Sequence, residues 1–155
     1  MDQLSPHFTL TEMTVSASGA RRGLVNDPSV TEYANLLLLC NDLLEPAREL
    51  LGHPITIFSG YRSAAVNKLV GGSPTSAHRH GLAADLVCHS AGTPDQVAKL
   101  LYDGLRSRGI AFDQIISEFG QWVHIGLKRG NGQQRGQFLR ASKQGGITRY
   151  THVLS

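Results

Sequence analysis

The sequence contains little that would support a disulfide framework or a membrane span. Only two of its 155 residues are cysteine and one is tryptophan. Cys40 and Cys88 form no C-x-x-C pair, so we expect two buried free thiols. The longest apolar cluster, residues 36–40, is far shorter than the roughly 20 residues that span a bilayer. We therefore expect neither a disulfide nor membrane insertion.

The first residues also lack the features of a secretory signal. Residues 1–6, MDQLSP, provide neither a basic n-region nor an apolar h-region. We expect synthesis in the cytoplasm without a signal peptide. The formal charge of +3 fits an anionic partner and an ordinary basic surface equally well, so it discriminates little. The length fits one domain, 1–155, and we expect a monomer.

Apolar periodicity predicts helices and short strands in irregular order. The helices are expected at 27–51, with a kink at Pro46, and at 63–70 and 93–109. The strands are expected at 54–58, 83–88, 114–118, 122–127 and 147–153. The segment 128–146 is rich in Gly, Gln, Lys and Arg, and is expected to be a mobile loop. This pattern predicts an α+β fold with helices packed on a small antiparallel sheet.

Two short motifs carry side chains suited to binding a metal. The first is SAHRHGLAAD at 76–85, and the second is EFGQWVH at 118–124. Together they supply His78, Asp85 and His124 as candidate ligands and Glu118 as a candidate proton-transfer group. Histidine and carboxylate ligands with a nearby carboxylate are typical of zinc hydrolases.

The predicted strands can bring the three ligands together. Side chains alternate between the two faces of a strand, so Asp85 and His124 can face a common point if their strands are neighbours. His78 lies in the loop before the first of these strands and can approach from the side. Three ligands leave a fourth tetrahedral position for water, which is the arrangement of a catalytic zinc. His80 is the main rival ligand.

Three further residues are candidates for contact with a substrate or a proton. Glu118 lies six residues before His124, and a tight hairpin could return it beside that histidine to transfer a proton. Arg62 follows a predicted strand and could polarise a carbonyl or bind a carboxylate, or it could be solvated. Ser76 could bind substrate or fix its loop, and the sequence leaves both roles open.

The pattern S-x-H-x-x-G-x-A-x-D followed by W-x-H resembles the zinc D-alanyl-D-alanine carboxypeptidase family. That family includes phage endolysins and the vancomycin-resistance D-Ala-D-Ala dipeptidases. The resemblance covers about residues 6–127. Further segments are similar to the small phage-type branch of the family: FTLTE at 8–12, ARRGLVNDP at 20–28, and SGYR at 59–62 with Asn67.

The resemblance implies a hedgehog/D-Ala-D-Ala-peptidase-like fold and a specific set of residue roles. It implies a murein peptidase with Zn²⁺ on His78, Asp85 and His124. By the same resemblance Arg62 and Ser76 contact the substrate, and we assign Tyr61, within the SGYR motif, to substrate binding as well.

One position departs from the family pattern. In many relatives the catalytic carboxylate lies three residues before the last histidine, and here that position is Gln121. Glutamine cannot act as a general base, so either Glu118 takes the role from across the hairpin or catalysis has been lost. We favour the first alternative, because a turn follows Glu118.

We therefore expect a zinc-dependent peptidase that cleaves a peptide bond in the peptidoglycan stem peptide. It would be a murein endopeptidase or a D,D-carboxypeptidase, acting on the cell wall in phage or prophage lysis and reaching it through a membrane pore or a virion. The alternative is a catalytically inactive, metal-bound wall-binding or structural module. A nucleic-acid binder that uses 128–143 is disfavoured, because aromatic residues are scarce there.

Overall fold

The computed structural model describes residues 2–128 and 133–153, and its helices pack on a six-stranded sheet. The helices are α1 Leu10–Thr14, α2 Ala17–Arg21, α3 Val30–Leu39, α4 Glu45–Leu51, α5 Ala64–Leu69 and α6 Pro94–Ser107. The strands are β1 Gln3–Ser5, β2 Phe8–Thr9, β3 Thr56–Ser59, β4 Ala83–Val87, β5 Gln114–Glu118, β6 Trp122–Gly126, β7 Gln137–Gln144 and β8 Ile147–His152. Within the described ranges, no helix has the length and apolar character to cross a membrane.

The large sheet has the strand order β3-β4-β6-β5-β7-β8, and β1 and β2 form a separate pair. All neighbours in it are antiparallel except β5 and β7, which pair in parallel. The α+β class is thus confirmed, but the sheet is mixed and not wholly antiparallel. The expected strand at 147–153 lies at its edge as β8.

The expected mobile loop at 128–146 was wrong for the part that forms β7. Residues 137–144 are a strand in which Phe138, Leu139 and Ala141 are buried. The entry to this strand is fixed by Asp113, which accepts hydrogen bonds from the Arg135 backbone at 3.0 Å and from its guanidinium at 2.8 Å. Residues 129–132 of the expected loop lie outside the described residues.

The long helix expected at 27–51 is divided into two α-helices. It begins after Ser29, whose hydroxyl accepts a hydrogen bond from the Glu32 backbone at 3.2 Å. Residues Cys40–Leu44 form a π-helical turn, and α4 then carries Pro46 in its first turn. Proline has no N–H to donate and crowds the preceding turn, and a wider π-turn relieves that conflict. Gly52 ends α4 with a φ of 71°.

The two faces of the large sheet have different surroundings. Alternate residues of the central strands, among them Leu86, Ile115 and Ile125, lie in the same core as Leu36 and Leu43 of the helical region. Cys40 and Cys88 are free thiols buried in this core, as predicted. Side chains alternate along a strand, so the intervening residues point away from this core. Asp85, Glu118 and His124 therefore lie together on the opposite face of the sheet.

Candidate metal centre

Local structure brings the three predicted ligands to one point. β4 and β6 pair in a register that puts Asp85 directly opposite His124. His78 lies on a single 3₁₀ turn, Ala77–His80, which ends at Gly81 with a φ of 74°. A Cβ at Gly81 would lie 2.7 Å from the carbonyl oxygen of Glu32. Only glycine therefore fits where the turn meets α3.

The ligand atoms are close together and largely shielded from solvent. Asp85 Oδ1 lies 3.2 Å from His78 Nε2 and 3.1 Å from His124 Nδ1. One ligand atom from each of the three residues lies within 4.8 Å of the others. The side chains of His78 and His124 are 3% and 11% exposed. Such a spacing leaves room for one ion between them.

The hydrogen bond made by the outer nitrogen of His78 indicates that the three ligand atoms suit a cation. His78 Nδ1–H donates to the carbonyl oxygen of Gly60 at 2.7 Å, so neutral His78 presents the lone pair of Nε2 to the Asp85 carboxylate. Two electron-rich atoms at this distance need a proton or a cation between them. A backbone acceptor on the outer nitrogen is typical of metal-bound histidine, and the donor set of two imidazoles and one carboxylate fits Zn²⁺.

The charges in the site favour an ionised Asp85. Burial alone would raise the pKa of Asp85, but its interactions with the imidazoles of His78 and His124 hold it well below its usual range. Burial lowers the pKa of His78. Burial would also lower the pKa of His124, but the Asp85 hydrogen bond and charge and the charge of Glu118 raise it. Asp85 is therefore available as an anionic ligand.

Arg62 lies in the cleft beside these ligands. Its Nη2 donates to Asp85 Oδ2 at 3.3 Å, while Nε donates to Ser59 Oγ at 3.0 Å and Nη1 to Asn67 Oδ1 at 3.3 Å. Its side chain is 16% exposed. The contact with Asp85 was not predicted. It leaves the other carboxylate oxygen, Oδ1, to face His78 and His124.

A tight hairpin returns Glu118 to the site, as predicted. The Gln121 backbone N–H donates to the Glu118 carbonyl oxygen at 2.9 Å. Phe119 and Gly120 between them have φ values of 57° and 67°. The hydrogen bond and the two positive φ values mark a tight turn that reverses the chain between β5 and β6. Glu118 consequently pairs with Trp122 and lies diagonally across from His124.

The Glu118 carboxylate is held by one oxygen and faces the metal ligands with the other. Oε2 accepts a hydrogen bond from Trp122 Nε1 at 3.2 Å. Oε1 lies 3.8 Å from His124 Nδ1. Burial, followed by the charge of Asp85, raises the pKa of Glu118. A raised pKa suits a group that takes up and returns a proton near neutral pH. Gln121 is exposed at the turn.

Ser76 and Tyr61, the two residues assigned to substrate binding, have different surroundings. Ser76 borders the cleft, and its hydroxyl accepts a hydrogen bond from the His78 backbone at 3.2 Å, which fixes the loop. Tyr61 is 4% exposed. Burial and a hydrogen bond to Glu32 raise the pKa of Tyr61 to about 12. The substrate contacts assigned to these two residues stay predictions. His80 also borders the cleft, outside the three-residue cluster.

An open cleft of about 940 Å³ lies over the metal centre. Residues 70–73 and Thr75 and Ser76 border it on one side. β7 and β8 border it on the other through Leu139, Lys143, Thr148 and Tyr150. The two sequence motifs at 76–85 and 118–124 did not predict that β7 and β8 border the cleft. The alternation of Leu139, Ala141 and Lys143 was the available signal.

A second groove of about 680 Å³ continues from the cleft past the metal centre. Its border includes the apolar side chains of Val15, Phe58 and Val70. Both Arg62 and Trp122 border the cleft and the groove. Asp85 also borders both, so the cleft and the groove meet at the metal centre.

Comparison with known proteins agrees with this site. The sequence profile of the Peptidase M15 family matches residues 6–126. That segment includes Arg62, His78, Asp85, Glu118 and His124, and it ends before β7. No curated protein matches the chain significantly. Because the match spans well over half of its length, the chain belongs to the peptidase M15 family, the zinc D-alanyl-D-alanine carboxypeptidase family of metallopeptidases.

Proposed function

We propose that this protein is a zinc-dependent peptidase that cleaves a peptide bond in the peptidoglycan stem peptide, as a murein endopeptidase or a D,D-carboxypeptidase. The observation that carries the proposal is the position of Asp85 Oδ1, which faces both His78 Nε2 and His124 Nδ1 at 3.1–3.2 Å. Glu118 lies beside them on the same face of the sheet. Membership of a metallopeptidase family supports the same conclusion.

The residues of the site would hold the ion and prepare it for catalysis. A bound Zn²⁺ supplies Lewis-acid chemistry, which activates water near neutral pH and polarises a carbonyl. His78 is kept in the required tautomer by the Gly60 carbonyl. Asp85 is oriented by Arg62, which binds its outer oxygen. The burial of all three ligands strengthens their interaction with a cation, because little solvent screens it.

Glu118 would move the proton in this reaction. Its Oε1 is directed toward His124 and the ligand cluster, while Trp122 restrains the other oxygen. The carboxylate would accept a proton from the attacking water and deliver it to the leaving amine. Arg62 lies close enough to the ligands to stabilise a developing oxyanion or to bind a substrate carboxylate.

The position of Glu118 favours an enzyme over an inactive metal-bound module. The case for the module rested on Gln121, which replaces the carboxylate present in many relatives. Gln121 is exposed at the turn. Glu118, in contrast, lies on the neighbouring strand opposite Trp122, two residues from His124, and its carboxylate is directed into the site. The basic group that Gln121 cannot supply would therefore come from Glu118.

The substrate and setting form the finer part of the proposal. The likeness of 8–12, 20–28 and 59–62 to the small phage-type branch supports peptidoglycan as the substrate and phage or prophage lysis as the role. The cleft and the groove, which meet at the metal centre, would accommodate an extended stem peptide. We propose a monomer that acts as a single domain on the cell wall.

Digestion of purified murein tests this function. Zinc-loaded protein should release new peptide termini, which mass spectrometry can assign to one bond, and a chelator should abolish their release. Glu118→Gln loaded with zinc is the matched control. If neither cross-linked nor uncross-linked murein yields a product with the wild type, the proposed substrate is wrong.

A further inference from the structure

The hairpin of β7 and β8 extends the catalytic face of the sheet beyond Glu118. β5 pairs with β7 so that Glu118 lies beside Ala141, and β7 pairs with β8 so that Ala141 lies beside Tyr150. Trp122, Glu118, Ala141 and Tyr150 therefore form one row across four strands. The small side chain of Ala141 lies between Glu118 and Tyr150 in that row.

Strand parity decides which side chains of the hairpin reach the cleft. Residues in register with the catalytic face include Lys143, Thr148 and Tyr150, and all three border the cleft. Arg140 and Arg149 occupy the alternate positions. Arg140 lies 3.6 Å from Asp95 at the start of α6, on the helical side of the sheet. One wall of the cleft is thus built by residues that follow the segment matched by the family profile.

Lys143 gives this wall of the cleft a positive charge. Residues 128–155 contain six Lys or Arg and no Asp or Glu. Arg62 and Arg135, which also border the cleft, are bound to Asp85 and Asp113. Within the described part of the chain, no carboxylate oxygen lies within 4.0 Å of Lys143 Nζ, which is 5.9 Å from the centre of the Phe119 ring.

We propose that Lys143 binds a carboxylate of the peptide substrate and thereby determines which peptides this enzyme accepts. The inference rests on the proposed function, and it adds an anion-binding wall opposite the loop of residues 70–76. A lysine ammonium is a compact cation with three donors, and its bonds to a carboxylate are stronger than neutral ones. Lys143 is exposed, and its ammonium lies 5.9 Å from the centre of the Phe119 ring, a cation–π contact that helps to hold it beside the cleft. Tyr150 flanks the same surface with an aromatic ring and a hydroxyl.

A stem peptide offers two carboxylates, and their binding can be compared directly. The probes are the pentapeptide L-Ala-γ-D-Glu-L-Lys-D-Ala-D-Ala, in which the D-Glu side-chain carboxyl forms the bond to Lys, and two variants. One variant has the free D-Glu α-carboxylate converted to an amide, and the other has the terminal carboxylate converted to an amide. Zinc-loaded Glu118→Gln binds them without consuming them, and calorimetry gives each affinity. One of the two amides should bind about tenfold more weakly than the parent peptide.

Substitution of Lys143 should remove that discrimination. In Lys143→Met with Glu118→Gln, the parent peptide and the critical amide should bind equally, and Lys143→Arg should restore most of the difference. Arg149→Met is the matched control, because it removes a charge of the same hairpin on the other face. Melting temperatures of the variants should show that each is folded.

Two results would contradict the inference, and they are distinguishable from failure of the proposed function. If the wild type hydrolyses murein but Lys143→Met keeps the full discrimination between parent and amide, Lys143 does not bind the carboxylate. The same conclusion follows if neither amide weakens binding before substitution. If murein is not hydrolysed and no pentapeptide binds, the proposed function is wrong, and the inference is overturned with it.

Discussion

The two oxygens of Asp85 have different partners, and this division defines the site. Oδ1 faces His78 and His124, whereas Oδ2 accepts the Arg62 guanidinium. A carboxylate fixed in this way presents one oxygen to a cation without rotating. Residues that orient a metal ligand typically affect metal affinity or activity by 10- to 100-fold when they are substituted.

Arg62 should therefore affect both zinc binding and turnover. We expect Arg62→Ala to weaken zinc binding by about tenfold or more, because Asp85 loses its orienting partner. Arg62→Lys should retain more zinc affinity but still impair murein hydrolysis, since lysine lacks the planar fork of donors. Competition with a chelator measures the affinity. Wild-type affinity and turnover in both variants would show that Arg62 neither orients Asp85 for the metal nor contacts the substrate.

Glu118 should be required for hydrolysis but not for the metal. We expect Glu118→Gln to keep zinc and fold and to lose murein hydrolysis by at least about 100-fold, the scale of a lost acid–base group. Gln121→Ala is the control from the same turn, and it should leave the rate within about twofold, because Gln121 is exposed. A near wild-type rate in Glu118→Gln would point to another base.

At the scale of elements, the 3₁₀ turn that carries His78 depends on Gly81. Gly81 and Gly71 both have positive φ, 74° and 76°, but a Cβ at Gly71 would meet nothing within 4 Å. Gly81→Ala should therefore destabilise the protein by more than the roughly 1–2 kcal/mol of backbone strain expected for Gly71→Ala. It should also weaken zinc binding, because the turn must shift. Equal melting temperatures and zinc affinities in the two variants would refute this.

The ion pair between Asp113 and Arg135, just before β7, should make the free energy of unfolding depend on pH. Burial alone would raise the pKa of Asp113, but the hydrogen bonds and charge of Arg135 hold it below its ordinary value. A lowered native pKa means that the stabilisation is complete above the unfolded pKa of about 3.9 and is lost as the pH falls through the native pKa. Asp113→Asn should be about 1 kcal/mol less stable than wild type at pH 7. Urea unfolding should show this difference shrinking toward pH 3, and a constant difference would exclude the ion pair as its cause.

At the scale of the whole molecule, the parts that could be predicted are those with local signals. The alternation of side chains along two predicted strands was enough to place Asp85 and His124 on one face of the sheet. The turn after Glu118 was enough to predict that its carboxylate lies near His124. β7 was missed because its pairing with β5 is parallel and remote, and because a strand with one polar face among glycines resembles a loop. The contact between Arg62 and Asp85 was missed for a related reason, since the sequence does not specify which oxygen a distant arginine meets.

The central claim is that His78, Asp85 and His124 hold one zinc ion, and metal analysis of purified protein tests it most directly. The account predicts about one zinc per chain in the wild type and a loss of stoichiometric zinc in His124→Ala, with His152→Ala as a control that keeps the metal. Ligand distances near 2.0–2.2 Å by X-ray absorption would fit the same set. Stoichiometric zinc in folded His124→Ala would contradict the account.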